Sequence, residues 1–402
     1  MVFNSVNFAV FFVVVLAIYW RLRQRQQNWL LLAASYVFYA AWDWRFLGLI
    51  LATTLINHLG AQRIAASTDG SGRRRMLAAT LAFDVAVLGF FKYYNFFAEN
   101  LRLLFGLVGW HPDFFTLHVL LPIGISFYTF MAMSYVVDVY RGEIAPTKSL
   151  LDFGVFVAYF PHLVAGPILR ASLLMPQIEG ERRITRDQVA EGIWLILWGL
   201  FKKMFVADNL ARVAQTVFAA SAQPNGLEIL LGVYAFAFQI YGDFSGYTDI
   251  ARGTSKLMGI ELNLNFRYPY FVRSPQEFWA HWHISLSTWL RDYLFLPISY
   301  AVSRRIDRAR WLGVRTDFWV YALATTVTML LGGLWHGAAW TFVLWGAYQG
   351  LLLVIFQAGR MARGRRRRKA AARPWVPRAL GVLGMFHLTC LGWLLFRAES
   401  VA

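Results

Sequence analysis

Long apolar segments recur along the 402-residue chain, and they constrain its fold more than any other feature. A segment needs about 20 mostly apolar residues to cross a bilayer. Hydrophobic residues make up 58% of the chain and charged residues 15%, against about 45–50% and about 25% in soluble domains. One soluble core could not bury this much apolar sequence. The composition also excludes a disordered chain, a collagen and a coiled coil.

The apolar pattern predicts an all-α polytopic membrane protein with about ten or eleven membrane helices. A further segment, 95–108, is amphipathic and is expected at the membrane interface. Asp84 is expected as the buried partner of a lysine or arginine, or as a proton site. The expected membrane segments are 3–20, 28–42, 46–59, 76–91, 116–139, 153–169, 189–206, 227–241, 318–334, 338–356 and 379–396.

Basic residues account for a net charge of +17, which raises the alternative of nucleic-acid binding. Their positions favour a membrane protein instead, because they cluster between apolar segments as positive cytoplasmic loops do. The clusters lie at 21–25, 73–75, 304–305 and 365–369. Placing 21–25 inside puts the N-terminus outside. Contacts with anionic membrane lipids are an additional expectation.

Residues 242–315 are too polar for a simple span, yet rich in aromatic residues. Polar, irregular backbone survives at membrane depth only where protein or a water-filled cavity surrounds it. We therefore expect re-entrant or interfacial helices that line a cavity. Asp243 and Asp249 lie here as candidate substrate-binding residues. Capping a broken helix or pairing with an arginine is the alternative role.

Histidines offer the clearest candidates for chemistry. His336 lies between two apolar spans, where an ionisable side chain indicates function, and a packing role is the alternative. Gly333 and Gly337 have the spacing that lets a neighbouring helix or a ligand approach closely. Of His281 and His283, we expect His283 to face the cavity. Further candidates for the cavity are Ser285, Trp289, Arg291, Asp292 and Trp335.

Several motifs are absent from the sequence. Neither a phosphate-binding glycine loop nor a zinc-peptidase helix occurs, and Ser245 is misplaced for a nucleophile elbow. The only cysteine, Cys390, excludes a disulfide framework and a cysteine-based metal site. We therefore expect no metal.

Ordered matches along nearly the whole chain resemble the membrane-bound O-acyltransferase family. The branch is the bacterial one that contains the alginate O-acetylation membrane subunit and the teichoic-acid D-alanine-transfer membrane protein. The matching stretches are 121–127, 137–142, 160–168, 199–203, 243–251, 265–270, 278–293 and 333–340.

The resemblance implies membrane helices that ring a central funnel and tunnel, within one domain over 1–402. It implies that His336 is catalytic and that His283 is a second functional histidine. It implies an acyl-CoA or acyl-carrier donor, with acetyl-CoA expected and no bound cofactor. It also implies a periplasmic partner protein, a cell-surface polysaccharide acceptor and a location in the bacterial cytoplasmic (inner) membrane.

Residues 298–305 and the pair at 280–281 depart from the alginate-type pattern, which puts the identity of the polymer in doubt. The family pattern continues for one or two helices past Arg397, so a missing C-terminal part is expected. Two other classes remain open. A transporter or flippase would move its substrate without consuming a thioester, and a scaffold of a polysaccharide-export complex would have no activity.

Overall fold

The protein is described by a computed structural model. The structure describes residues 1–113, 116, 120–164, 166–219, 223–306, 308–311, 313–362, 375–398 and 400, with backbone alone at 375–377. Helices dominate these residues, as the sequence predicts. One short antiparallel hairpin, β1 (Arg310–Trp311) with β2 (Val314–Arg315), is the addition that apolar periodicity did not predict.

The helices follow one another with short connections. In chain order they are α1 (Val6–Tyr19), α2 (Gln24–Asp43), α3 (Leu47–Ala66), α4 (Gly70–Leu88), α5 (Tyr94–Gly106), α6 (Ile125–Arg141), α7 (Leu150–Ala158), α8 (Phe160–Leu163), α9 (Ala171–Glu179), α10 (Arg186–Leu200), α11 (Asp208–Val217), α12 (Gly226–Leu257), α13 (Pro275–His281), α14 (Ile284–Leu290), α15 (Leu296–Ser303), α16 (Thr316–His336), α17 (Trp340–Ala362) and α18 (Trp375–Arg397). A 3₁₀ turn covers Trp44–Phe46, and π-helical turns cover Gly89–Tyr93, Phe201–Ala207 and Arg291–Phe295.

Polar caps set where several helices begin. The Ser5 side chain accepts from the Phe8 amide at the start of α1, and Asp69 caps α4 in the same way. Thr185 and Gln188 form a reciprocal capping box at α10. Such side chains satisfy amides that have no partner inside the helix.

Five helices within the described residues are long and apolar enough to cross a membrane. They are Gly70–Gly106, Gly226–Leu257, Thr316–His336, Trp340–Ala362 and Arg378–Arg397. All five overlap segments that the sequence predicts as spans. The first of them also includes most of the segment 95–108, so that segment continues the helix that begins at Gly70. The total of ten or eleven membrane helices and the funnel remain predictions.

Two expectations need correction. The predicted span 153–169 is interrupted, because α7 ends at Ala158 and α8 covers four residues with a proline in its first turn. Proline lacks the amide that a continuous helix needs. Gly242 is not the beginning of a separate polar region, because α12 continues through it to Leu257. The cavity-lining role of 242–315 remains a prediction.

The described chain divides into two compact units. Unit 1 comprises Met1–Asn209 and Ile240–Asn263, and unit 2 comprises Leu210–Gln239 and Leu264–Ala402. In unit 1, α2, α3, α6 and α7 pack together around buried phenylalanines and tyrosines. In unit 2, α16 and α17 form the most extensive helix pair, and α13 and α18 pack on α17.

Asp84 is fully buried in unit 1. The prediction that it pairs with a lysine or arginine was wrong. The carboxylate accepts a hydrogen bond from Asn57 Nδ2 at 3.0 Å, not from a lysine or arginine. The second carboxyl oxygen, Oδ2, has no hydrogen-bond partner within the described residues, and the alternative role as a proton site remains a prediction.

Candidate active site

His336 is the last residue of α16, and it stands in an aromatic cluster of unit 2. Its half-buried ring meets three other rings edge-on: Trp335 at 4.9 Å, Trp345 at 5.0 Å and Phe396 at 5.2 Å between centroids. These rings come from α16, α17 and α18. Gly337 then leaves the helix in extended conformation. The cluster holds the half-buried imidazole at a helix end.

Close helix packing holds this cluster together. A Cβ on Gly333 would collide with the Phe342 carbonyl oxygen, and one on Gly346 would collide with the Met329 carbonyl oxygen. The backbones of α16 and α17 therefore touch where side chains would keep them apart. A Cβ on Gly337 would meet the Phe342 ring. This confirms the predicted close approach of a neighbouring helix at Gly333.

His283 is the second residue of the two-residue bend between α13 and α14 and is 1% exposed. Its φ of 43° is in the left-handed region, which is unusual for a residue with a Cβ. Its ring meets Trp335 edge-on at 5.9 Å. His281, by contrast, is only partly buried and contacts the Glu277 carbonyl oxygen of its own helix through Nδ1 at 2.7 Å. His283, not His281, therefore joins the aromatic cluster of His336.

Asn265 fixes the orientation and the tautomer of His283. Its Oδ1 accepts from the Ser285 backbone amide at 3.1 Å and from Ser285 Oγ at 3.0 Å, and it contacts His283 Nδ1 at 3.2 Å. Because a backbone amide can only donate, this Asn265 atom must be the oxygen. Nδ1 of His283 is therefore the protonated nitrogen of the neutral ring. Nε2 then carries the lone pair.

Burial also determines the charge of this histidine. It lowers the pKa of His283 well below its ordinary value, and positive charge on His336 would lower it further. The two imidazoles thus lie within electrostatic reach of each other. A neutral His283 with a proton on Nδ1 can accept a hydrogen bond at Nε2 but cannot donate one there.

A cavity of about 400 Å³ is formed by residues of α13, α14, α16, α17 and the π-helical turn Arg291–Phe295. Apolar side chains line most of it. Gln276, Trp279 and Thr328 add polar atoms that have no hydrogen-bond partner within the described part of the chain. The Trp279 ring lies 5.9 Å from Trp345, which contacts His336. The cavity wall is thus in contact with the histidine cluster through the indole rings of Trp279 and Trp345.

The other predicted residues of unit 2 occupy different positions. Ser285 is buried against Asn265. Trp289 is buried and contacts the Tyr293 ring. Arg291 lines the cavity, and its Nε pairs with the Asp292 carboxylate at 2.6 Å.

Asp243 and Asp249 belong to unit 1, where both form ion pairs. Lys203 Nζ lies 2.7 Å from Asp243. Lys202 Nζ donates to Asp249 at 2.6 Å, and Arg252 contacts the second oxygen of Asp249 at 3.3 Å. The arginine pairing expected as the alternative is therefore observed at Asp249. Substrate binding by the two aspartates remains a prediction.

The sequence analysis gave no role to Asn265, Gln276 or Trp345. Asn265 lies within one of the matching stretches, but its importance comes from folding against a bend 18 residues later. The buried indole of Trp345 looks like ordinary core. No local pattern distinguishes any of the three.

The fold and the site define an α-helical membrane protein with two histidines held in one aromatic cluster. Comparison with known proteins supports a more specific assignment. The sequence model of MBOAT, the membrane-bound O-acyltransferase family, matches residues 143–396. The chain belongs to this family, and it is a multi-pass membrane O-acyltransferase.

Similar proteins act on different polymers, as their names state. A probable alginate O-acetylase, AlgI, of Azotobacter vinelandii is 44% identical over the whole chain and 76% of its own length. A peptidoglycan O-acetyltransferase of Helicobacter pylori is 32% identical over 93% of the chain and 71% of its own length. A teichoic acid D-alanyltransferase of Streptococcus thermophilus is 28% identical over 68% of both chains.

Proposed function

We propose that the chain takes an acetyl group from an acyl thioester, acetyl-CoA, and passes it to an acceptor hydroxyl for O-acetylation of a cell-surface polysaccharide of the alginate type. The observation that carries this proposal is that His283 and His336 both contact the ring of Trp335 in unit 2. The similarity to alginate O-acetylases over the whole chain supports acetyl as the group and a polysaccharide as the acceptor.

His336 is the general base in this proposal. It takes the proton of the acceptor hydroxyl as the oxygen attacks the thioester carbonyl carbon, and a tetrahedral intermediate forms. The intermediate collapses with cleavage of the C–S bond. His336 returns the proton to the departing thiolate, so the products are an ester and a free thiol. Such proton transfer contributes about 10²- to 10⁴-fold to a rate.

His283 positions the acceptor. With its proton on Nδ1, its Nε2 accepts a hydrogen bond from a hydroxyl and has no proton to offer a thioester carbonyl. The Asn265 contact therefore favours acceptor positioning over carbonyl polarisation. Trp335 contacts both histidines, so its ring limits where the hydroxyl can lie.

The cavity suits the arm of the donor. An acyl thioester of coenzyme A or of a carrier protein carries a slender chain with amide groups. The apolar lining suits the alkyl parts of that chain, and Gln276 and Thr328 offer hydrogen bonds to its amides. Buried polar atoms gain most when a ligand supplies the partner that they lack.

The donor enters from the cytoplasm in this account, and the acetyl group leaves at the outer face of the inner membrane. The basic clusters at 21–25 and 73–75 support this orientation through the positive-inside rule. A periplasmic partner protein completes transfer to the polymer.

The test uses radiolabelled acetyl-CoA and membranes that contain the wild type, His336→Gln or the matched control His111→Gln, at equal expression. His111 is an exposed histidine outside the cluster. We expect label in polymer or partner protein with the wild type and the control, and at least 100-fold less with His336→Gln.

Three outcomes contradict the proposal. Equal labelling by His336→Gln removes this histidine from the chemistry. Movement of label across the membrane without thiol release supports the transporter class. Polymer labelling that persists when the chain is absent supports a scaffold.

A further inference from the structure

A second cavity, in unit 1, has no part in the chemistry proposed above. It has a volume of about 930 Å³ and is formed by α2, α3, α7 and the residues beside them. We call it the α2–α3–α7 groove. It is lined by four charged residues, and the rest of its wall is mostly apolar. This combination is typical of a site for an amphipathic molecule.

The groove follows a single face of α2. Its lining residues on that helix include Arg25, Trp29, Leu32 and Tyr36, which are spaced by three or four positions. With a rise of about 1.5 Å per residue, Arg25 and Tyr36 are about 16 Å apart along the helix. Half of a bilayer's hydrocarbon core is about 15 Å thick. The groove therefore has the length of one leaflet.

The apolar wall is open to the surroundings. Trp29 is 58% exposed, and Leu51 and Leu55 on α3 are nearly half exposed. Across the groove, Gly154 on α7 lines the floor and lies against Leu32, where an added Cβ would be 3.3 Å from a leucine methyl. The missing side chain at Gly154 lets α7 pack closely against Leu32 of α2.

The charged residues of the lining are two cations and two carboxylates: Arg25, Lys148, Asp152 and Glu179. Within the described residues, no ion pair joins any two of them. Asp152 accepts from Asn28 at 2.7 Å, and Glu179 is exposed at the end of α9. The groove thus presents both signs of charge to one ligand, without net charge.

Charge complementarity identifies the ligand. Basic pockets alone recognise anionic lipid head groups, but here the two carboxylates would repel a head group that carries only negative charge. A head group with one phosphate and one primary ammonium matches both the cations and the carboxylates. The phosphate accepts hydrogen bonds from the two cations, and the ammonium donates hydrogen bonds to the two carboxylates. We propose that the α2–α3–α7 groove binds phosphatidylethanolamine in the leaflet that holds the 21–25 cluster.

The experiment measures lipid binding to the full chain, purified in detergent and delipidated. Native mass spectrometry and thermal unfolding are followed with added phosphatidylethanolamine, phosphatidylglycerol or phosphatidylcholine of identical acyl chains. The wild type is expected to bind phosphatidylethanolamine about 10-fold more tightly than either other lipid. Phosphatidylcholine tests the ammonium, because its quaternary nitrogen cannot donate a hydrogen bond.

Variants separate the parts of the groove. Glu179→Gln is expected to reduce the preference for phosphatidylethanolamine over phosphatidylcholine to less than 3-fold. Arg25→Gln is expected to weaken binding of both lipids about 10-fold. Leu55→Trp fills the groove and is expected to abolish the bound lipid. Arg21→Gln, at an exposed arginine outside the lining, is the matched control and is expected to bind as the wild type does.

The proposal is overturned if phosphatidylglycerol binds as tightly as phosphatidylethanolamine, or if Leu55→Trp binds lipid normally. It is also overturned if none of the three lipids binds. Each variant is first compared with the wild type in lipid-free thermal unfolding, so that a folding defect is recognised. Should Leu55→Trp fail to fold, the polar variants Glu179→Gln and Arg25→Gln still decide the outcome.

Discussion

Removing the Asn265 side chain tests how His283 is held. In Asn265→Ala, Nδ1 of His283 and two donors of Ser285 lose the oxygen that they share. A buried donor without a partner costs about 1–3 kcal/mol. We expect the free energy of unfolding to fall by about 3 kcal/mol. The proton of His283 is then no longer confined to Nδ1, so the nitrogen that should accept the hydroxyl is often protonated.

The kinetic effect follows from the loss of this tautomer. We expect kcat to fall about 10- to 100-fold, which corresponds to about 1.4–2.7 kcal/mol in the barrier. Asn265→Asp keeps an oxygen for all three donors, so most of the stability should return. Its negative charge raises the pKa of His283. The acid limb of the pH–rate profile should therefore move to higher pH.

The assay is the initial rate of thiol release between pH 5.5 and 9, together with thermal unfolding. Thr389→Val is the matched control, since it removes another buried hydroxyl bond of unit 2, to the Met385 carbonyl oxygen. It should keep its kcat. The reasoning is refuted if folded Asn265→Ala retains the wild-type kcat, or if Asn265→Asp shows an unchanged pH profile.

Three other perturbations have expected outcomes. Gly346→Ala places a methyl against the α16 backbone and should lower the free energy of unfolding by about 1–3 kcal/mol; Gly384→Ala, in open space, should not. Lys202→Met leaves the Asp249 carboxylate poorly compensated and should lower the free energy of unfolding by about 3 kcal/mol, most of it recovered by adding Asp249→Asn; an additive loss in the double variant would contradict this. Burial lowers the pKa of His283 in the folded chain, so the unfolded chain binds a proton more readily. The free energy of unfolding of the wild type should therefore fall as the pH drops below about 6.5. In His283→Gln the free energy of unfolding should depend less on pH. Urea titrations at pH 5–8 check this, and an equal pH dependence in variant and wild type would contradict it.

Hydropathy predicted the membrane spans because apolar length is a property of the sequence alone. It failed at 153–169, where composition alone does not register the break before Phe160 and Pro161. It also placed a boundary at Gly242, because Asp243 and Asp249 are polar. Lysines that pair with these aspartates make a continuous helix possible, and they come from a distant part of the chain.

Both histidines were identified from their positions, but their environment was not. The choice of His283 over His281 rested on the polar residues that follow it. The tautomer depends on Asn265, and the aromatic cluster depends on Trp345 and on Phe396 near the end of the described chain. These contacts form only when separate helices of unit 2 pack together, so local sequence does not contain them.

The most direct test of the account is the stoichiometry of acyl transfer. The full chain is reconstituted in vesicles with acetyl-CoA on one side and a polysaccharide acceptor and partner protein on the other. Free thiol and acetyl ester are then counted together. The account predicts one thiol per ester with the wild type and neither product with His336→Gln. Ester formation by His336→Gln at the wild-type rate, or acetyl movement without thiol release, would contradict it.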